Sequence, residues 1–234
     1  FIGNTKLGLL SMKRVYLDHA ASTPLDERVL EAMLPYLQGY TGNPSSTHAH
    51  GRQLKTAIEQ SRRTIADLLS VSPSEIVFTS GGTESDNTAL KSGVCGTDAE
   101  RVITSPLEHH AVLHPAEYLA ERGHAELVEL PVDRQGRIDL TELETLLADG
   151  PKTLVSLMHA NNEIGVINDV EAIGRLCREH GALFHSDTVQ SIAVEQLNFS
   201  ELPFHYATAS AHKFNGPPGV GLLYVEGGHA LPQH

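Results

Sequence analysis

Short, β-rich apolar runs separated by amphipathic stretches constrain this chain more than any other feature. The runs fall at 76–78, 102–104, 127–130, 154–158, 183–185, 206–209 and 221–225. Each has the length of a strand rather than a helix. Between most of them lie helical patterns: Leu54, Ile58, Ile65, Leu68 and Leu69 share one face, and so do Val170, Ile173, Leu176 and Cys177. Gly181 supplies a stop for the second pattern. Asp139 or Thr141 can start a helix through Leu143, Leu146 and Leu147. Strands alternating with helices bury both faces of a sheet when the strands run mostly parallel and the helices cover them. The expected fold is therefore an α/β three-layer sandwich, a mostly parallel sheet with helices on both faces. The chain has 234 residues, 40% of them hydrophobic, enough for one sizeable core or one large domain plus a fragment of another.

Several function classes are disfavoured. The formal net charge is -12, with the acidic residues scattered rather than gathered in a tail. There is no basic stripe and there are few aromatic residues to stack on bases, so no nucleic-acid partner is expected. No apolar run approaches the roughly 20 residues of a membrane span. The two cysteines, Cys95 and Cys177, are widely separated, which argues against a disulfide framework and for a reducing, cytoplasmic setting. The patch ending at Leu9-Leu10 is short, and Met12 reads as a natural start, with the residues before it upstream or added sequence.

In an α/β sheet, ligands sit at the carboxyl ends of the strands. The polar residues that follow the apolar runs form a coherent set: Ser80 to Thr83, Glu108 to His110, His159 to Asn162, Asp187 to Gln190, and Ser210 to Lys213. Gly81-Gly82-Thr83, before a helix expected near Glu84, can make a phosphate cup from backbone N–H groups, a helix N-terminus and a hydroxyl. A plain turn reads the same way, and neither a Walker loop nor a dinucleotide fingerprint is present. Asp187 ends a strand where a buried carboxylate needs a partner; a pyridinium N–H is one, and a helix cap or a salt bridge is the alternative. Gln190 falls on the same side if a helical turn follows, as a hydrogen-bond donor or simply a solvated side chain. Lys213 lies between an apolar strand and a Gly/Pro-rich turn, where burial lowers an amine's pKa as imine chemistry requires; a surface lysine is the alternative. His109 can lie against an aromatic ring or shuttle a proton. His110 and His114 have i, i+4 spacing, but Pro115 follows and no third ligand is set between them, so no metal site is expected there or at His48 and His50.

Read together, these segments resemble the cysteine desulfurases, within the class V aminotransferases of fold type I. The matching stretches are 15–24, Gly42-Asn43-Pro44-Ser45-Ser46, 78–87, Glu108-His109-His110-Ala111-Val112, Asn161-Asn162-Glu163-Ile164-Gly165, 185–191 and 210–217, in the family's order over about 15–225. The resemblance implies pyridoxal 5'-phosphate as cofactor and conversion of L-cysteine to L-alanine, with sulfur passed on as an enzyme persulfide for iron–sulfur clusters and other products. It implies Lys213 as the Schiff-base lysine, Asp187 as partner of the pyridine nitrogen and His109 as the ring-stacking histidine. Gln190 and Asn162 would lie near the phenolic oxygen and the substrate. Gly82, Thr83, Ser210 and His212 would contact the phosphate. It further implies a homodimer, a sulfur-acceptor or scaffold partner, and a division into residues 1–25, belonging to a small domain, and 26–234, the cofactor-binding large domain.

The sequence also departs from the family. Gly216-Pro217-Pro218-Gly219 stands where the family carries Gly-Pro-Lys-Gly, so Pro218 removes a charge and a backbone donor. The family's nucleophilic cysteine and its carboxylate-gripping arginine lie in a C-terminal small domain that this sequence does not include. Cys177 falls on an apolar helix face and Cys95 outside the strand-end loops, so neither is expected to take over sulfur transfer. The expectation is an incomplete cysteine desulfurase whose isolated chain lacks turnover; the alternatives are a selenocysteine lyase or a cofactor-binding fragment.

Overall fold

The computed structural model describes residues 14–227; the patch at Leu9-Leu10 and the start expected at Met12 lie outside them. Each of the expected apolar runs contributes a strand: β1 (Ile76–Thr79), β2 (Arg101–Thr104), β3 (Glu126–Glu129), β4 (Thr153–Ser156), β5 (Leu183–Asp187), β6 (Tyr206–Ser210) and β7 (Gly221–Val225). They form one 7-stranded sheet in the order β1-β7-β6-β5-β4-β2-β3. Every pairing from β3 across to β6 is parallel, and β7 runs antiparallel to both its neighbours, β6 and β1. The helices among the described residues are α1 (Glu27–Gln38), α2 (Ala49–Leu69), α3 (Gly82–Cys95), α4 (His110–Glu121), α5 (Leu140–Ala148) and α6 (Val170–Glu179).

The period of two along the strands divides the interior into two cores. Ile103, Val155, Phe184, Ala207 and Tyr224 pack on one face with Leu69 of α2, Leu143 of α5, and Ile173 and Cys177 of α6. Their neighbours Val102, Leu154, Leu183, Tyr206 and Leu223 pack on the other with Ala89, Leu90 and Val94 of α3 and Val112, Ala116 and Leu119 of α4. This is the expected three-layer sandwich. The sheet is thereby packed between two helical layers.

Local chemistry sets the helix ends. Asp139, not Thr141, caps α5: its carboxylate accepts from the Thr141 and Glu142 amides at 2.9 and 3.3 Å. Asp169 does the same for α6 through Ala172 at 2.9 Å. Gly181 follows α6 with φ of 68°, a left-handed conformation that glycine adopts without steric cost.

Three expectations change in detail. On α2 the buried side holds Ala66 and Leu69, with Ile65 packed against it, while Leu68 is 76% exposed. Adjacent helical residues point about 100° apart, so Leu68 and Leu69 cannot both face the core. Strand β4 stops at Ser156; Leu157 and Met158 leave the ladder but stay buried. Helix α3 begins at Gly82, ahead of Glu84. No helix of the described residues is long and apolar enough to cross a membrane.

Candidate active site

A cleft of about 580 Å³ opens where β4, β5 and β6 end and where α3 and α4 begin. The structure brings Gly82, Thr83, His109, Asn162, Asp187, Gln190, Ser210, His212 and Lys213 together in its wall, joined by Asp18, Ala20, Asp86 and Met158.

Asp187 is the last residue of β5 and is buried. One of its carboxylate oxygens accepts the Val189 amide at 2.9 Å. Burial, reinforced by the nearby Asp86 carboxyl, pushes its pKa up to about 7, against the lowering pull of the Val189 amide, His185 and His109. It therefore holds a proton far more readily than an exposed aspartate, could pass it to a basic nitrogen placed beside it, and would ionise more readily next to a cation.

Lys213 closes a 3₁₀ turn, Ala211–Lys213, that directly follows β6. The turn holds the lysine in the wall, half-buried, with Nζ donating to the Ala20 carbonyl oxygen. Burial lowers its pKa, and the negative charges of Asp187 and Asp18 oppose that shift. Gln190 Nε2 donates to the same Ala20 carbonyl at 2.9 Å. The segment around Ala20 straps this loop from outside: Thr23 donates to the His212 carbonyl from its amide at 2.8 Å and its hydroxyl at 2.9 Å, and Ser22 Oγ lies 3.2 Å from His212 Nδ1. Burial and the neighbouring Lys213 both lower the pKa of His212.

The start of α3 makes the second wall. A Cβ at Gly82 would lie 3.0 Å from Val189 Cγ2 and 3.6 Å from Ser210 Cβ, so glycine allows the helix to begin against the ends of β5 and β6. Gly81 caps α3 without a side-chain hydrogen bond, which leaves the first-turn amides and the positive end of the helix dipole for an anion. His109 caps α4, accepting the Ala111 amide on Nδ1 at 3.0 Å; a neutral ring then carries its proton on Nε2. Of the adjacent asparagines, Asn161 is buried and structural, its Oδ1 accepting the Glu163 and Ile164 amides at 2.8 and 2.9 Å. Asn162 lines the cleft and donates to Glu163 Oε1 at 2.7 Å.

Sequence reasoning missed the buried acids around Asp187. Asp86 belongs to a buried stripe of α3 with Ala89, Leu90 and Gly93, so its helical position carried a legible signal. His185 falls in the apolar run 183–185 and Glu108 in the loop after β2, so their positions were legible; that they meet Asp86 and Asp187 follows from tertiary packing. Cys95 is exposed at the end of α3; Cys177 is buried, its thiol pushed up to about 12. Neither lines the cleft, and nor does Pro218, exposed on the way to β7. His110 and His114 stack with ring centroids 4.9 Å apart, and the described residues contain no group of three His, Cys, Asp or Glu placed to hold a metal.

A parallel sheet whose strand ends gather an amine, a buried carboxylate and an open helix N-terminus defines an α/β protein of the aminotransferase type. The chain belongs to the class-V aminotransferase family, whose sequence profile matches residues 15–231. Cysteine desulfurase IscS of Dictyoglomus turgidum is 47% identical over 93% of this chain and 55% of its own length. Among solved structures, a NifS-like protein superposes with a TM-score of 0.89 at 42% identity, covering 94% of this chain and 60% of that one. A second, SspA in complex with cysteine, has a TM-score of 0.88 at 35% identity, covering 94% of this chain and 65% of that one. The chain spans about half the length of the curated relatives it matches, 53% to 56% of each.

Proposed function

We propose that the cleft holds pyridoxal 5'-phosphate and that the whole protein is a cysteine desulfurase, converting L-cysteine to L-alanine and passing the sulfur on as a persulfide. The observation that carries this reading is the meeting of Lys213 and the buried Asp187 in one cleft with the open start of α3. That donor set fits the cofactor at each of its functional groups. The first turn of α3, Thr83, Ser210 and His212 offer donors to a phosphate. Asp187 offers a carboxylate to a pyridine nitrogen, and its raised affinity for a proton suits it to share one there. His109 offers a ring to stack; Gln190 and Asn162 offer amides on the remaining side.

When bound, the cofactor supplies an electron sink for the charge left at the substrate α-carbon once its proton is removed. Lys213 would carry the cofactor covalently and, once displaced by substrate, move the proton from the α-carbon. Its lowered pKa raises the fraction of free amine available for both tasks. Asp187 would share the ring nitrogen's proton, and His109 would stack against the ring. Sulfur removal needs a thiolate close to the substrate sulfur, and neither Cys95 nor Cys177 lines the cleft. That observation favours a second reading for the chain by itself, cofactor binding without turnover. The names of the relatives, several of them cysteine desulfurases, and of the neighbour that holds cysteine support the substrate.

We further place the protein in the reducing cytoplasm, as a homodimer with a sulfur-accepting partner, and residues 26–234 in its large domain. A titration of the purified chain with pyridoxal phosphate tests the core of the proposal. A saturable visible band is expected in the wild type and not in Lys213→Ala. L-cysteine added to the loaded chain should yield little or no alanine and sulfide; efficient turnover would contradict the reading of the two cysteines.

A further inference from the structure

Asp187 belongs to a buried group of acids whose other two members, Asp86 in the cleft wall and Glu108 behind it, the proposed chemistry does not use. Asp86, Glu108 and Asp187 are all buried. Asp86 Oδ1 and Glu108 Oε2 have no hydrogen-bond partner. Glu108 Oε1 accepts the Met158 amide at 2.9 Å, and Asp187 accepts the Val189 amide. The surroundings supply little positive charge. From β5, His185 Nε2 lies 3.4 Å from Asp86 Oδ1 and 3.2 Å from Thr208 Oγ1, and its Nδ1 lies 2.8 Å from Ser156 Oγ. Burial drives the His185 pKa down to about 4, so this approach is a contact of a neutral imidazole, not an ion pair. His109, before α4, and Lys213, after β6, act on Asp187. A buried carboxylate with an unmatched oxygen is far costlier than the neutral acid, and neighbouring carboxyls raise that cost for one another.

We propose that Asp86 and Glu108 are positioning residues that keep their protons in the folded protein well beyond the pH at which the unfolded chain loses them, leaving Asp187 as the carboxylate of this group that ionises against the ligand. The role rests on the cofactor reading above; the protonation does not. Of the three acids only Asp187 then carries charge toward a ring nitrogen. Burial raises Asp86 to about 7 against the lowering hydrogen bond of Thr208, and Glu108 well above its ordinary value; Asp187, raised as far, is set apart by the basic groups that face it, His109 and Lys213.

The consequence for stability has a definite sign. An acid protonated in the folded state but ionised when unfolded favours the folded form at low pH. That advantage is lost as pH rises from the unfolded value through the folded one. For Asp86 the window runs from 3.8 to about 7. Asp86→Asn and Glu108→Gln mimic the neutral acids and cannot lose a proton. Urea unfolding of the cofactor-free chain should therefore show the folding constant of the wild type falling, relative to either variant, by at least tenfold between pH 4.5 and pH 7.5. Leu143→Ala, a buried apolar change remote from these acids, controls for a general loss of packing and should keep a pH-independent offset from the wild type. A wild type that gains on both acid variants with rising pH, or keeps a constant offset from them, would overturn the protonation. Pyridoxal phosphate titrations of the same proteins separate the two ideas. A wild type with no visible band would remove the cofactor role, while the unfolding data would still decide the charge.

Discussion

Lys213 and Asp187 show how a residue's chemistry follows from its place at a strand end. Lys213 was legible in the sequence because it follows an apolar run and precedes a Gly/Pro-rich turn, and the structure holds it half-buried in the cleft wall. Its neighbours were less legible. The Ala20 carbonyl that receives both Lys213 and Gln190 lies 193 and 170 residues earlier in the chain, a closure that no local pattern encodes. Asp187→Ala tests the site at this scale. Removing the carboxylate should weaken pyridoxal phosphate binding at least tenfold by equilibrium dialysis, about the 1.5–3 kcal/mol of a hydrogen bond to a charged group. Unchanged binding would show that Asp187 does not meet the ligand.

At the scale of elements, the strands were the clearest feature of the sequence because strands buried on both faces read as continuous apolar runs of strand length. Helix faces were less clear: Leu54, Ile58, Ile65, Leu68 and Leu69 fit one broad stripe, yet packing against the sheet selects Leu69 and leaves Leu68 outside. Helix α3 carries the site, and its seating depends on small residues. A Cβ at Gly93 would lie 2.7 and 2.9 Å from the two Cδ atoms of Leu154, so Gly93→Ala should cost about 1–3 kcal/mol in urea unfolding through overpacking. Asp139→Ala, which removes the cap of α5 away from the cleft, should cost about 1 kcal/mol and leave cofactor binding unchanged. A neutral Gly93→Ala would mean that the clash with Leu154 costs no more than the roughly 1 kcal/mol that alanine gains over glycine in a helix.

Across the whole molecule, two cores hold the sheet between helical layers, and the cleft lies where those layers end. The fold class could be read from alternation alone, because only helices on both faces bury strands of this composition. What lies outside those cores could not. Helix α1 has no buried residue, and Leu30, Leu34, Tyr36 and Leu37 stand exposed on it, although its apolar pattern resembles that of a packed helix. A ligand that binds the folded chain must also stabilise it. Saturating pyridoxal phosphate should raise the midpoint of thermal unfolding in the wild type and raise it much less in Lys213→Ala, as linkage requires when a covalent anchor is lost.

The most direct measurement is to locate the covalent attachment. The chain would be loaded with pyridoxal phosphate, reduced with borohydride, digested and analysed by mass spectrometry. One phosphopyridoxyl group per chain is expected, on Lys213 within the peptide that contains Ser210, His212 and Phe214. No modification, or label spread over exposed lysines such as Lys55 and Lys152, would contradict the assignment of this cleft as a pyridoxal phosphate site.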